Sequence, residues 1–432
     1  MSEIAQENLR ILTERWPDLA RRVTAAVAPE PLQWSEDGPQ RALEVAGHRL
    51  WSAYDADAEA RLQATLIPME SAQAWIYGIG GGDLIRAVLQ RPAIRRLGVV
   101  VLNPGLVHLL MHLLDHRDWL NDPRVELVDG EQQQQPGTPF AAVPPCLTLG
   151  TPATAGLRDR LRQEIERPFQ WQMIDRREPR RRAQIAQNLP FIESDGDVAE
   201  LFGSAPAATV FLAVAGPTLA TTMRELLRHR DDGILIAVDG ALRPLLDLGM
   251  VPNIVVSVDD NRSTVMPYFA GDLSACAVSS LVYAPVVHRD VLRLWPGRRL
   301  ATYTWEPLYD ELRSAHPRAE LFVAGSVTHR AVDLAVKMGA ARIHLFGADF
   351  GFPHGLIHAN RDAPVDSYAN AAKAGVAALN GRGEPIPTMA NFNGYRVSLE
   401  NYIARCPQVD FVNMSRDGAR IAGARYLDGD AS

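Results

Sequence analysis

Lysine is almost missing from this chain: of 44 basic residues only Lys337 and Lys373 are lysines, the rest arginine. A Walker-type phosphate loop needs Gly-Lys-Ser/Thr, and neither lysine sits in that setting. Any phosphate must therefore be held by backbone amides, helix N-termini or arginine forks. Codon bias accounts for the same count, so the shortage excludes a mechanism without marking a site. Cysteine is also scarce: Cys146, Cys276 and Cys406 are too few and too far apart for a disulfide framework or, alone, a zinc site. No run of eighteen apolar residues occurs, which excludes a transmembrane helix, and no membrane insertion is expected. The first residues, MSEIAQENLR, are charged where a secretory signal needs an apolar stretch, so the expected address is cytoplasmic. Positive charge is not in excess: 44 basic against 51 acidic side chains leave a net charge of -7. A bulk electrostatic grip on nucleic acid is excluded, and no nucleic-acid partner is expected.

What is present is ordinary globular composition, 47% apolar and 22% charged over 432 residues, enough for two or three domains. Residues 1–150 read as an N-terminal α/β domain: a leading helix, short strands around ALEVAGHRLWSAYD, then AWIYGIG, DLIRAVLQ, GVVVL, LVHLLMHLLDH and RVELV as alternating strands and helices. The stretch EQQQQPGTPFAAVPP from Glu131 reads as a boundary or surface loop. Residues 151–204 read as a helical linker whose run RREPRRR is a solvated face, with a phosphate or acidic partner as the alternative. From 205 to 432 short apolar runs recur: TVFLAVA, ILIAVDG, IVVSVDD, ACAVSS, LATYTW, ELFVAG and RIHLFGAD, most of the longer gaps holding helix-like text. That alternation predicts a doubly wound, Rossmann-like parallel sheet covered on both faces. The tail from 385 reads as irregular, with short apolar pieces packing on the sheet.

Two glycine turns stand out. Gly78-Ile79-Gly80-Gly81-Gly82 follows a strand and opens a helix, as in dinucleotide- or S-adenosylmethionine-binding units, yet the next strand ends in Asn103-Pro104 and lacks the acid that would hold a ribose. A structural turn is the expectation there. In the second, TVFLAVA runs into Gly216-Pro217-Thr218: glycine for close approach, proline for the first helical turn, threonine as a cap. Its free amides would suit an anion. Gly325-Ser326 repeats the device.

Acids close the neighbouring strands: Asp239, then Asp259 and Asp260, then Asp349. Strand C-termini line the crevice of a doubly wound sheet, so these carboxylates are candidates for ribose hydroxyls, a divalent ion or a substrate amine; a helix cap is the structural alternative, most plainly for Asp239. Beyond Asp349 come His354 and His358, whose i,i+4 spacing would suit a metal on a helix. Pro353 and Gly355 argue against a helix, which leaves a loop histidine, His358 ahead of His354, as general base.

These residues resemble a known family. VAGPTLA, AVDGALRPLLDLGMVPNIVVSVDD and AGSVTHRAVDLAVKMGAARIHLFGADF, with the tail NFNGYRVSLENYIARCPQVDFVNMSRDGARIAGARYL, are similar to the motility accessory factor (Maf) family of flagellin glycosyltransferases. That family shares a domain with archaeal 6-hydroxymethylpterin pyrophosphokinases. The Gly-Ser-Val segment and the strand ending Gly-x-Asp-Phe also look like bacterial sialyltransferases that use CMP-sialic acid. The resemblance covers about residues 205–425. The chain departs from the family in Thr218 for the usual Ser, Asp259-Asp260 for Asp-Pro and Asn103-Pro104 for Glu-Pro, and a C-terminal acceptor-contacting region is expected to be reduced.

The resemblance implies a sialyltransferase-like core that moves a nonulosonic acid, of pseudaminic or legionaminic type, from a CMP-activated donor to Ser/Thr of a protein such as flagellin. It implies that Gly216, Pro217, Thr218, Gly325 and Ser326 hold phosphate and ribose, with Asp239 and Asp259 on ribose or base. His358, or else His354, takes the acceptor proton, and Asp349 orients loop and sugar. No cofactor is required in that reading. The alternative is ATP-dependent pyrophosphoryl transfer to a hydroxymethylpterin, with Mg²⁺ on Asp259 and Asp260. A third reading is a nucleotide-binding accessory protein without turnover.

Overall fold

The computed structural model describes residues 2–35, 40–356 and 376–427, with the backbone alone for 168–176. Contacts divide the chain into two compact units, Met1–Arg162 and Gln163–Ser432, the boundary falling within the helix Ala155–Ser194. Among the described residues no helix is long and apolar enough to cross a membrane.

The first unit opens with helices Glu3–Arg15 and Pro17–Ala25 and a small antiparallel sheet of β1 (Leu32–Ser35), β2 (Ala42–Val45) and β3 (His48–Arg49). A parallel sheet follows in the order β6-β5-β4-β7, from β4 (Gln73–Tyr77), β5 (Arg96–Val101), β6 (Val125–Asp129) and β7 (Phe140–Ala142). The strand β7 corrects the loop reading of the Pro-rich stretch: three residues in polar text carry too little periodicity to show a strand. The glycine turn after β4 is packed from both sides. Gly78, at φ +85, leaves no room for a Cβ beside Cys146, and Trp51 covers Gly81. The space left there is about 20 Å³, room for about one water. Asn103 is spent locally, its Oδ1 accepting from Leu106 N–H at 3.1 Å and its Nδ2 donating to Leu149 O at 2.6 Å.

The second unit is built on eight parallel strands in the order β17-β14-β9-β10-β11-β12-β13-β8. They are β8 (Gly196–Asp197), β9 (Thr209–Ala213), β10 (Ile234–Val238), β11 (Ile254–Ser257), β12 (Ser280–Tyr283), β13 (Arg298–Ala301), β14 (Arg342–Phe346) and β17 (Asp410–Asn413). A hairpin of β15 (Ala377–Leu379) and β16 (Pro385–Pro387) stands apart. The period-2 geometry of a strand sends Ile254, Val256, Val282 and Leu300 into one core with helix Val327–Lys337. Val255, Leu281, Tyr283 and Ala301 enter another with helix Arg289–Leu294. Both faces are buried, which is why the strands read as unbroken apolar runs. The chain therefore has an α/β fold of parallel sheets flanked by helices.

Three expectations are corrected. Of ACAVSS, residues 275–278 fall in the 3₁₀ turn Ser274–Val278 and the strand begins at Ser280, because small residues followed by serines satisfy either geometry. ELFVAG contributes only a bridge, Tyr303 to Glu320, since helix Val327–Lys337 takes over the chain a few residues on. The tail is regular: it supplies helix Ala390–Ile403 and the edge strand β17. That helix hides from a periodicity reading because it is buried with polar residues inside, Arg396 pairing with Glu400 at 2.5 Å and bonding Asn393 at 2.9 Å.

Leu281 is fully buried in β12 between two parallel neighbours. Leu281→Ala is expected to destabilise the second unit by about 2–5 kcal/mol, read as a lowered urea midpoint of the transition that follows its sheet.

Candidate functional site

Strands β9 and β14 are neighbours whose chains leave in opposite directions along the sheet, to β10 and to β17. Such a switch point opens a crevice at the strand C-termini. Here the two loops are tied across it. Gly216 N–H donates to Gly347 O at 3.0 Å, and the Asp349 carboxylate accepts both the Thr218 N–H (2.8 Å) and the Thr218 hydroxyl (2.5 Å). A side chain at Gly216 would overlap Gly347 O and the Asp349 carboxylate, so glycine is required. Thr218 consequently does not cap its own helix, Thr218–Arg228; Asp349 receives that helix's first amide instead.

Above this tie lies a cleft of about 860 Å³, within the usual range for a small-molecule site, wholly inside the second unit. Gly216, Asp239, Asp259, Asp260, Gly325, Ser326 and Asp349 all line it. The carboxylates differ in their surroundings. Asp239 accepts from Ser257 Oγ at 2.9 Å and Gly240 N–H at 2.8 Å, yet burial pushes its pKa up to about 6. Burial does the same to Asp349, to about 6, against the Thr218 bonds that pull it down. Asp259 is raised by burial and by neighbouring Asp260, while its Oδ1 accepts from Asn261 N–H at 2.8 Å. Asp260 is ion-paired with Arg180. Asp259 is thus the freer of the two acids that the pyrophosphokinase reading gives to Mg²⁺, and no group of three His, Cys, Asp or Glu suited to a metal occurs among the described residues.

Also lining the cleft, Gly325 takes φ +90 where a side chain would run into the Tyr395 ring. Ser326 then caps helix Val327–Lys337, its Oγ accepting from Thr328 N–H at 3.3 Å. The imidazole of His329, buried and with its pKa depressed to about 4 by that burial, closes the cap at 3.3 Å from Ser326 N.

Pro217 and Thr218 do not line the cleft; Thr218 reaches it through Asp349. His354, at φ +55, is exposed beside Asp417 (3.4 Å) and is not among the lining residues. His358 lies outside the described residues. The structure adds Arg177 and Arg181, from the basic run read mainly as a solvated face, and groups that the sequence left unmarked: Arg330 and the rings of Tyr268, Trp305 and Tyr395. The i,i+4 spacing of Arg177 and Arg181 within RREPRRR puts one edge of that basic run on the cleft. Nothing in the sequence marks Arg330, one arginine among many in helix text.

The fold and cleft define a Rossmann-like domain with a ligand crevice at its switch point. Residues 183–355 match the family model described as 6-hydroxymethylpterin diphosphokinase MptE-like, the domain type that the resemblance in the sequence had indicated. Along its whole length the chain is similar to a solved structure described as the MAf glycosyltransferase from Magnetospirillum magneticum AMB-1. The identity is 17% and the TM-score 0.43, over 100% of this chain and 75% of that one. No curated protein matches the sequence.

Asp239 and Asp349, each raised from 3.8 to about 6, bind protons more readily folded than unfolded. Their joint contribution to stability is therefore fully present below pH 3.8 and is lost as the pH rises from there through about 6. Asp239→Asn is expected to flatten the fall in melting temperature between pH 4.5 and 7.5; an unchanged slope would place the titration elsewhere.

Proposed function

We propose that this protein is a cytoplasmic glycosyltransferase that moves a nonulosonic acid from a CMP-activated donor to a Ser/Thr hydroxyl of a protein, flagellin being the acceptor that the resemblance suggests. The observation carrying this reading is one cleft that presents carboxylates (Asp239, Asp259) and a helix N-terminus (Ser326) to the same space, on a domain of MptE-like type. Carboxylates accept the hydroxyls of a ribose, and a helix N-terminus favours a phosphate. In this reading Asp239 and Asp259 hold the nucleoside, and the amides from Gly325 onward stabilise the charge that grows on the departing CMP phosphate. Asp349 positions the switch-point loops through Thr218. The acceptor's proton goes to His358.

The pyrophosphokinase alternative keeps a specific support, the matched family model itself. Magnesium would then sit at Asp259, with Asp260 contributing once released from Arg180, and would supply charge neutralisation between the phosphates.

Calorimetric titration separates the two. Tight CMP binding that ignores Mg²⁺ is expected; ATP binding that strictly requires Mg²⁺ would reverse the choice. Asp259→Asn is expected to weaken CMP binding by about tenfold, the loss of a charged hydrogen bond, and unchanged affinity would remove Asp259 from the nucleotide. His358→Ala should abolish most sugar transfer while CMP affinity stays, and full transfer by that variant would exclude it as the base.

A further inference from the structure

Arg330 lines the cleft, yet only 3% of its surface is exposed. Its Nε has no hydrogen-bond partner, the Tyr309 hydroxyl is the polar side chain beside it, and among the described residues no carboxylate lies within ion-pair distance of it. Its acidic neighbour Glu306 is already committed: Arg181 holds both oxygens, at 3.2 and 3.0 Å, and Thr304 Oγ1 donates to Oε2 at 3.0 Å. Two guanidinium groups thus share one carboxylate, which leaves a positive charge buried in this wall. The adjacent imidazole, His329, is neutral near pH 7 and offers no compensation. A buried charge without a partner is costly, and burial already draws the Arg330 pKa below that of an ordinary guanidinium. Proteins keep such an imbalance where a ligand corrects it.

The backbone points the same way. Arg330 stands one turn after Ser326, so it lies on the face beneath the start of helix Val327–Lys337. There the Val327 N–H has no acceptor among the described residues. Contrast the helix after β9, whose first amide is taken by Asp349. Of these two N-termini, this one is open to the cleft and backed by an uncompensated cation.

We propose that Arg330 and the N-terminus of helix Val327–Lys337 together form the seat of the ligand's phosphoester oxyanion. The assignment rests on the nucleotide reading above and deepens it by giving the ligand a direction. The phosphate lies against Ser326, Val327 and Arg330, and the hydroxyl-bearing part lies toward Asp239 and Asp259.

The test is calorimetric titration of the full chain and its Arg330→Met and Arg330→Lys variants with CMP, ATP, cytidine, inorganic phosphate and N-acetylneuraminate, alongside melting curves without ligand. Arg330→Met is expected to weaken CMP and inorganic phosphate by about tenfold or more, as loss of a charge-assisted contact does. Cytidine affinity should not change, Arg330→Lys should fall between, and the unliganded Met variant should melt at or above the parent. Unchanged CMP affinity in Arg330→Met overturns the proposal. So does a selective loss of N-acetylneuraminate, which would make the anion a carboxylate, and so does equal loss of CMP and cytidine with a lowered melting temperature, which would make Arg330 structural. If the chain binds inorganic phosphate through Arg330 but shows no preference for CMP over ATP, the oxyanion seat stands and the CMP reading fails.

Discussion

The bond pair between Asp349 and Thr218 holds the floor of the second unit's cleft in place. One carboxylate, carried on the loop after β14, accepts an amide and a hydroxyl from the loop after β9, and so joins the two parallel strands from which the chain proceeds to opposite sides of the sheet. Neighbouring features follow from it. Gly216 has no side chain because the carboxylate occupies that space, and Gly418 is bare for the same reason, its neighbour Ala419 donating to Asp349 O at 2.8 Å. The C-terminal tail is thereby anchored to the switch point. Bonds from a charged acceptor contribute roughly 1.5–3 kcal/mol each, set against the burial that pushes the group's pKa up to about 6.

This tie also distinguishes two helix starts that look alike in the sequence. Gly216-Pro217-Thr218 and Gly325-Ser326 both follow apolar text and open an amphipathic helix. The first has its anion built in, supplied by Asp349 from another loop. The second is capped only by its own serine and histidine and faces the cleft. In the proposed reading phosphate is held there without a lysine, and the acids Asp239 and Asp259 line the same cleft.

Much of the architecture was legible because parallel strands buried on both faces leave a simple trace, short apolar runs ending in Gly or Asp. TVFLAVA, ILIAVDG, IVVSVDD and RIHLFGAD all became strands of one sheet, and their terminal acids came to a common edge. What escaped was whatever lacked a period. Strand β7 is three residues within polar text, and helix Ala390–Ile403 buries Asn393, Arg396 and Glu400 along with its apolar residues. Arg330 escaped for another reason, since composition cannot distinguish a buried arginine from the many exposed ones.

By itself the sequence determined the class of fold and the set of strand ends from which a site could be made, because burial on two faces and sharp turns each demand particular residues in a short span. Which of those ends are free for a ligand and which are consumed by the protein was decided only in three dimensions. Asp349 lies 131 positions from Thr218, and Arg181 lies 125 from Glu306. Contacts at such separations are set by how the sheet brings its loops together, and no local pattern encodes them.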